Sequence, residues 1–73
     1  MDLEHIYREY FSSVYRYIFS MCRDSYIAEE ITQETFFRAV KSIDSYRGES
    51  SMRVWLCQIA KNLYFTYLKK ERH

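Results

Sequence analysis

The most constraining feature of this sequence is what it lacks: its 73 residues include no proline, and its single glycine stands at position 48. A chain of many short strands needs frequent Gly, Pro or Asn to turn its corners, and those signals are missing here. Yet 48% of the residues are hydrophobic and 19% aromatic, so there is much apolar surface to hide and little means of turning. A few long helices satisfy both conditions. The length allows one domain only, and below roughly 80 residues a single core supplies no more than about 3–5 kcal/mol. The composition is not that of a disordered chain.

Apolar residues recurring every three or four positions predict a first helix over about 2–21. Leu3, Ile6, Tyr7, Tyr10, Val14, Tyr17, Ile18 and Met21 form its stripe, with His5, Glu9, Ser12 and Arg16 opposite. Asp2 is suited to cap it. Arg23-Asp24-Ser25 interrupts the pattern, and either Asp24 or Ser25 can cap a second helix over about 26–43. Carboxylates near its start and Arg38 and Lys41 near its end suit the helix dipole. Residues 44–51 read as a loop holding the only glycine. A third helix is expected over about 51–70, capped by Ser50 or Ser51 and burying Met52, Trp55, Leu56, Ile59, Ala60, Leu63 and Tyr67. Lys69 to His73 contain no apolar residue and are expected to fray or to begin a linker. The expected fold is all-α, a small three-helix bundle spanning residues 1–73.

Lys and Arg together number 11 and Asp and Glu 10, a net charge of +1 that says nothing globally about partners. Their distribution is uneven. Residues 1–38 hold four basic against seven acidic side chains, and residues 39–73 hold seven against three. Such an asymmetry suits either two different partners or simply solvated faces. Cys22 and Cys57 are too few and too far apart for a disulfide framework or a metal site, and adding His5 and His73 creates no ligating spacing. No metal and no cofactor is expected. The N-terminus lacks the continuous apolar run of a signal peptide, and no stretch approaches the roughly 18 apolar residues of a spanning helix. The expected location is the cytoplasm, without membrane insertion.

Two helix faces exceed what an isolated bundle needs. On the second helix, a step of about 100° per residue places Ala28, Ile31, Thr35, Ala39 and Ile43 inward. Glu30, Gln33, Glu34, Phe37 and Lys41 then lie outward, with Phe36 and Val40 at the border. An aromatic ring among groups able to pair with cations has the anatomy of a protein-binding hot spot; alternatively, Phe37 packs under a neighbouring helix. On the third helix, Arg53, Val54, Gln58, Lys61, Asn62, Phe65 and Lys69 lie away from the core stripe. Cations for phosphates, rings for stacking and amides for base edges suit single-stranded nucleic acid; a solvated lysine-rich face is the other reading. Glu29, Glu30 and Glu34 could suggest paired catalytic acids, but no phosphate loop, nucleophile elbow or HExxH accompanies them, and no enzyme is expected.

Two segments resemble a known family. Ala28-Glu29-Glu30-Ile31-Thr32-Gln33-Glu34-Thr35-Phe36-Phe37-Arg38-Ala39 is similar to the AEDLVQETFLRA run of extracytoplasmic-function sigma factors of bacterial RNA polymerase. Further along, residues 46–62, YRGESSMRVWLCQIAKN, resemble their FRGESSFRTWLYRIARN. Both motifs in order are specific, and the likeness covers essentially the whole chain as the second conserved region of such a factor. The resemblance implies that Glu30, Gln33 and Glu34, with Phe37 and Arg38 beside them, dock on the coiled coil of the polymerase β′ clamp. It implies that Tyr46, Arg47, Gly48, Glu49, Ser50 and Ser51 form a loop that takes up a base flipped from the non-template strand of the minus-ten promoter element. Asn62 then helps build the pocket, and Arg53, Lys61 and Lys69 hold phosphates. The implied role is promoter recognition and melting to initiate transcription, with an anti-sigma factor as a possible further partner. Trp55, although in the family's melting region, lies on the core stripe and reads as mainly structural. Glu30 stands where Asp is more usual, Thr32 where Val or Ile is, Met52 where Phe is, and Tyr46 where Phe is; the last can alter which base fits. The family's second, helix-turn-helix domain has no counterpart after Arg72, so the chain is expected to be an excised or truncated domain.

Overall fold

Asp2 opens the first helix, α1 (Leu3–Cys22), by accepting the Glu4 and His5 backbone N–H groups on its Oδ1 at 3.1 and 3.4 Å. These are orphan donors of the first turn, and a capping side chain is their usual partner. The computed structural model describes residues 2–71. The end of α1 is closed by Arg23, which adopts a left-handed φ of 55° and donates its N–H to the Phe19 carbonyl at 2.9 Å. Asp24 then caps α2 (Ser25–Ser42) through the N–H groups of Tyr26 and Ile27, at 2.9 and 3.1 Å. Of the two capping candidates in the sequence, Asp24 is the one used. Arg23 and Asp24 alone connect the two helices, which forces them into antiparallel contact.

A single 3₁₀ turn, Ile43–Ser45, tightens the end of α2, and α3 (Met52–Glu71) follows the loop. Ser51 caps α3, its Oγ accepting the Val54 N–H at 3.2 Å. Each helix end lies one residue from the bound that the spacing predicts. The expected fraying of Lys69 onward is not seen as far as Glu71, because α3 continues and places Lys69 and Lys70 in its last turn, where the dipole favours cations. Arg72 and His73, which that expectation also covered, lie outside the described residues.

The three helices pack pairwise on one another in a body of 37 × 20 × 18 Å, with no strand among the described residues. The fold is all-α. Ile6, Val14, Ile18, Ala28, Ile31, Phe36, Ala39, Leu56, Ala60 and Tyr64 are the buried hydrophobic core. Phe36, at the border by periodicity, is inside, and so are Thr32 and Tyr64, which lie off the expected stripes. The reason is shared: each helix touches two others, so its buried arc is wider than one stripe. Thr32 and Thr35 tolerate full burial because their hydroxyls donate back to the Ala28 and Ile31 carbonyls, at 2.6 and 2.8 Å. That leaves no buried side-chain polar atom without a partner among the described residues.

On α1 an aromatic row starts at Tyr7 of the expected stripe and continues beside it through Phe11, Tyr15 and Phe19, with ring centroids 5.0, 6.4 and 6.0 Å apart in turn. Tyr7 and Phe11 reach α2 by packing on Phe36 at 5.1 and 6.1 Å. Tyr7, on the expected core stripe, is exposed instead, lying over the outer edge of Phe36.

Candidate functional site

The outward face of α2 carries Glu30, Gln33, Glu34, Phe37, Arg38 and Lys41, all exposed. Phe37 is 56% exposed and does not pack under a neighbouring helix, which removes one of the two readings open in the sequence. Lys41 Nζ rests 4.4 Å from its ring centroid, and Val40 beside it is also exposed. Arg38 Nε lies 3.4 Å from Glu34 Oε2, and Gln33 Nε2 donates to Glu29 Oε1 at 3.3 Å. Such exposed pairs are each worth well under about 1 kcal/mol and are readily exchanged for a partner's groups. The face therefore offers a desolvatable ring, two carboxylates, an amide and two cations, none committed elsewhere by a strong bond.

The loop at residues 46–51 begins with Tyr46, half-buried against Trp55 with ring centroids 4.9 Å apart, its hydroxyl donating to the Ser50 carbonyl. Arg47, Gly48 and Glu49 project into solvent, and Ser51 is engaged as the α3 cap. Gly48 has φ +75°, a conformation that side-chain-bearing residues rarely adopt. Trp55 is half-buried under Tyr46, so its structural role has a specific object: it is the floor of the loop.

The residues of α3 divide between two grooves. Arg53 and Lys61 line one of about 230 Å³ with Tyr17 of α1 and Cys57. Burial pushes the Cys57 thiol above its ordinary value, with Arg53 pulling the other way. Asn62 lies in the other groove, of about 430 Å³ between α2 and α3, with Arg38, Ser42, Ile59, Leu63 and Thr66. The structure thus does not gather the loop, Arg53, Lys61 and Asn62 into one pocket. Lys69 is exposed about 25 Å along α3 from its first residue, at a rise of about 1.5 Å per residue, and stands apart from the loop.

Arg38 belongs to both surfaces. It sits with Glu34, Phe37, Lys41 and Ser42 around a hollow of about 260 Å³ on the outward face of α2, and it also lines the Asn62 groove. Ser42 and Thr66 are additions that the sequence reading missed. The available signal was spacing: Ser42 is one helical turn beyond Arg38, and Thr66 one turn beyond Asn62, whose carbonyl it bonds at 3.0 Å. Among the described residues no group of three or more His, Cys, Asp or Glu is placed to hold a metal ion, and no helix is long and apolar enough to cross a membrane.

The family model for sigma-70 region 2 matches residues 6–73. The chain is 40% identical over 72 residues to the ECF RNA polymerase sigma factor SigM of Bacillus subtilis strain 168, covering 99% of this chain and 44% of that protein. It is 30% identical over 70 residues to the RNA polymerase sigma factor YlaC of the same organism, covering 96% of this chain and 40% of that one. With the ECF RNA polymerase sigma factor BldN of Streptomyces coelicolor the identity is 38% over 69 residues, covering 92% and 26%. The chain spans less than half the length of these relatives. No solved structure gives a significant match. With the family model running from α1 through α3 and ECF sigma factors among its relatives, the chain belongs to the sigma-70 region 2 family, on the extracytoplasmic-function branch.

Proposed function

We propose that the chain is the promoter-recognition module of a bacterial sigma factor, docking on the RNA polymerase β′ clamp and capturing and melting the minus-ten element to initiate transcription. The observation that carries this reading is that the two family motifs present solvent-open surfaces of different chemistry, the Asn62 groove meeting the outward α2 face at Arg38. The α2 face, with Phe37 at its centre and Glu30, Gln33 and Glu34 around it, takes the clamp coiled coil. An anti-sigma factor would compete for the same ring. The loop from Tyr46 to Ser51 takes a flipped base of the non-template strand, and the separate Asn62 groove receives the strand beside it. Extracting that base costs a few kcal/mol of unstacking, which edge hydrogen bonds and stacking in a fitted site offset. Arg38, facing Asn62, is assigned to the strand as well as to the docking face. Arg53, Lys61 and, farther along, Lys69 hold phosphates. No bond is made or broken by these residues; the work is binding, in the cytoplasm where promoter DNA lies.

Fluorescence anisotropy with a single-stranded minus-ten oligonucleotide tests the DNA half. Each phosphate contact on a single strand contributes a slope of about −0.7 in log K against log salt. If Arg53 and Lys61 each neutralise one phosphate, replacing both by alanine flattens the slope by about 1.4. An unchanged slope removes these two residues from the interface. No salt-dependent binding by the unmodified chain, even at high concentration, favours a bundle that binds only proteins.

A further inference from the structure

The loop assigned to DNA capture is pinned at both ends. At its start the Tyr46 backbone N–H donates to the Ile43 carbonyl at 3.1 Å, and at its end Ser51 caps α3. Between these points the Tyr46 side chain folds back over the loop. One part of its ring meets Trp55 at 4.9 Å with planes inclined by 38°, and its hydroxyl donates to the Ser50 carbonyl oxygen. Backbone from Tyr46 to Ser50 and the phenol returning to Ser50 make a closed ring, with Arg47, Gly48 and Glu49 on its outer side. Gly48 supplies the left-handed corner; a Cβ there would meet nothing within 4 Å, so the demand is on the backbone and not on space.

We infer that Tyr46 is a positioning residue, whose hydroxyl locks the loop into the shape in which Arg47, Gly48 and Glu49 are presented to the strand. This rests on the reading of the loop as the DNA-capturing element. A ring committed to Trp55 and to Ser50 is not free to stack on a base. The hydroxyl matters because phenylalanine, the residue more usual at this motif position, keeps the ring contact but cannot donate to Ser50. A preformed loop does not have to be ordered at the moment of binding, and affinity rises by the ordering that is avoided.

Tyr46→Phe separates the hydroxyl from the ring. Backbone motion at Gly48, Glu49 and Ser50, read by NMR as amide order parameters, is expected to increase as the loop is released. Trp55 is the single tryptophan, and its emission is expected to stay where it is because the ring contact survives. Affinity for the single-stranded minus-ten oligonucleotide is expected to fall about five-fold, the weight of one ordinary hydrogen bond, with the thermal midpoint lowered by only a few degrees and the helix content unchanged. Tyr46→Leu, which loses ring and hydroxyl together, is expected to shift the Trp55 emission and to weaken binding further. Unchanged order parameters at these three residues in Tyr46→Phe overturn the lock whatever the DNA result. Lowered order parameters with undiminished strand binding overturn the positioning role while leaving DNA capture intact. Lowered order parameters in a chain whose unmodified form binds no strand support the lock and overturn the DNA reading beneath it.

Discussion

A Leu56→Ala chain is expected to be substantially unfolded in plain buffer at room temperature. Leu56 is 0% exposed and, with Ile18 and Val14, is among the largest side chains wholly removed from solvent. Truncating a buried leucine to alanine costs about 2–5 kcal/mol, the lost transfer energy plus that of the cavity left behind. A core in a chain of this size supplies about 3–5 kcal/mol in total. The loss is therefore comparable to the whole stability. Circular dichroism through a urea titration checks it, with Phe65→Ala as the control, since Phe65 is 47% exposed and its ring leaves little cavity. A Leu56→Ala midpoint close to that of the unmodified chain would show that the bundle is far more stable than its size implies.

The second large effect lies on the surface. Phe37→Ala is expected to weaken binding to core RNA polymerase by roughly 30-fold or more, the weight of about 2 kcal/mol for a hot-spot aromatic, and Glu34→Lys to abolish it by reversing the charge. Gln33→Ala is expected to act in the same direction. Neither the helix content nor the urea midpoint should move much, because Phe37 is 56% exposed and its contact with Lys41 is an exposed cation–π pair worth about 0.5–1 kcal/mol. Pull-down of core polymerase with each variant gives the readout. Full retention by Phe37→Ala and Glu34→Lys together would remove the α2 face from the docking interface.

Much of the fold is legible because its punctuation is local. Asp2, Asp24 and Ser51 cap by reaching backbone groups two or three positions away, so their effect is written in adjacent residues. What periodicity underestimates is the width of a buried face. Phe36 and Thr32 are inside because α2 lies against both α1 and α3, and no count along α2 alone reveals a second neighbour. Thr32 hides a further point: it reads as polar, yet its hydroxyl is satisfied within its own helix and accompanies the methyl group inward at little cost. The candidate site divides similarly. The exposure of Phe37 follows from one helix and was open to inspection as one of two alternatives. The sharing of Arg38 between two surfaces depends on how α2 crosses α3, and the Tyr46 contact depends on where the loop returns, so neither could be read from spacing.

The capping and back-bonding that let this chain fold have a thermodynamic corollary. Among the described residues, every side-chain hydrogen bond and both salt bridges join positions four or fewer apart, and no polar link crosses from one helix to another. The helices are held together by apolar contact alone, on which ionic screening has little purchase. What screening can reach are the surface pairs Glu4–Arg8 and Glu34–Arg38, each worth about 0.3–0.5 kcal/mol. The melting temperature is therefore expected to be nearly flat from dilute buffer to several hundred millimolar salt. Thermal melts across that range check this, and a steep change would reveal a charge network linking the helices. Strand binding, by contrast, is expected to decline over the same range as counterions compete for the phosphates. Ionic strength would then act as a clean solvent lever, releasing nucleic acid from a scaffold that does not itself register the change.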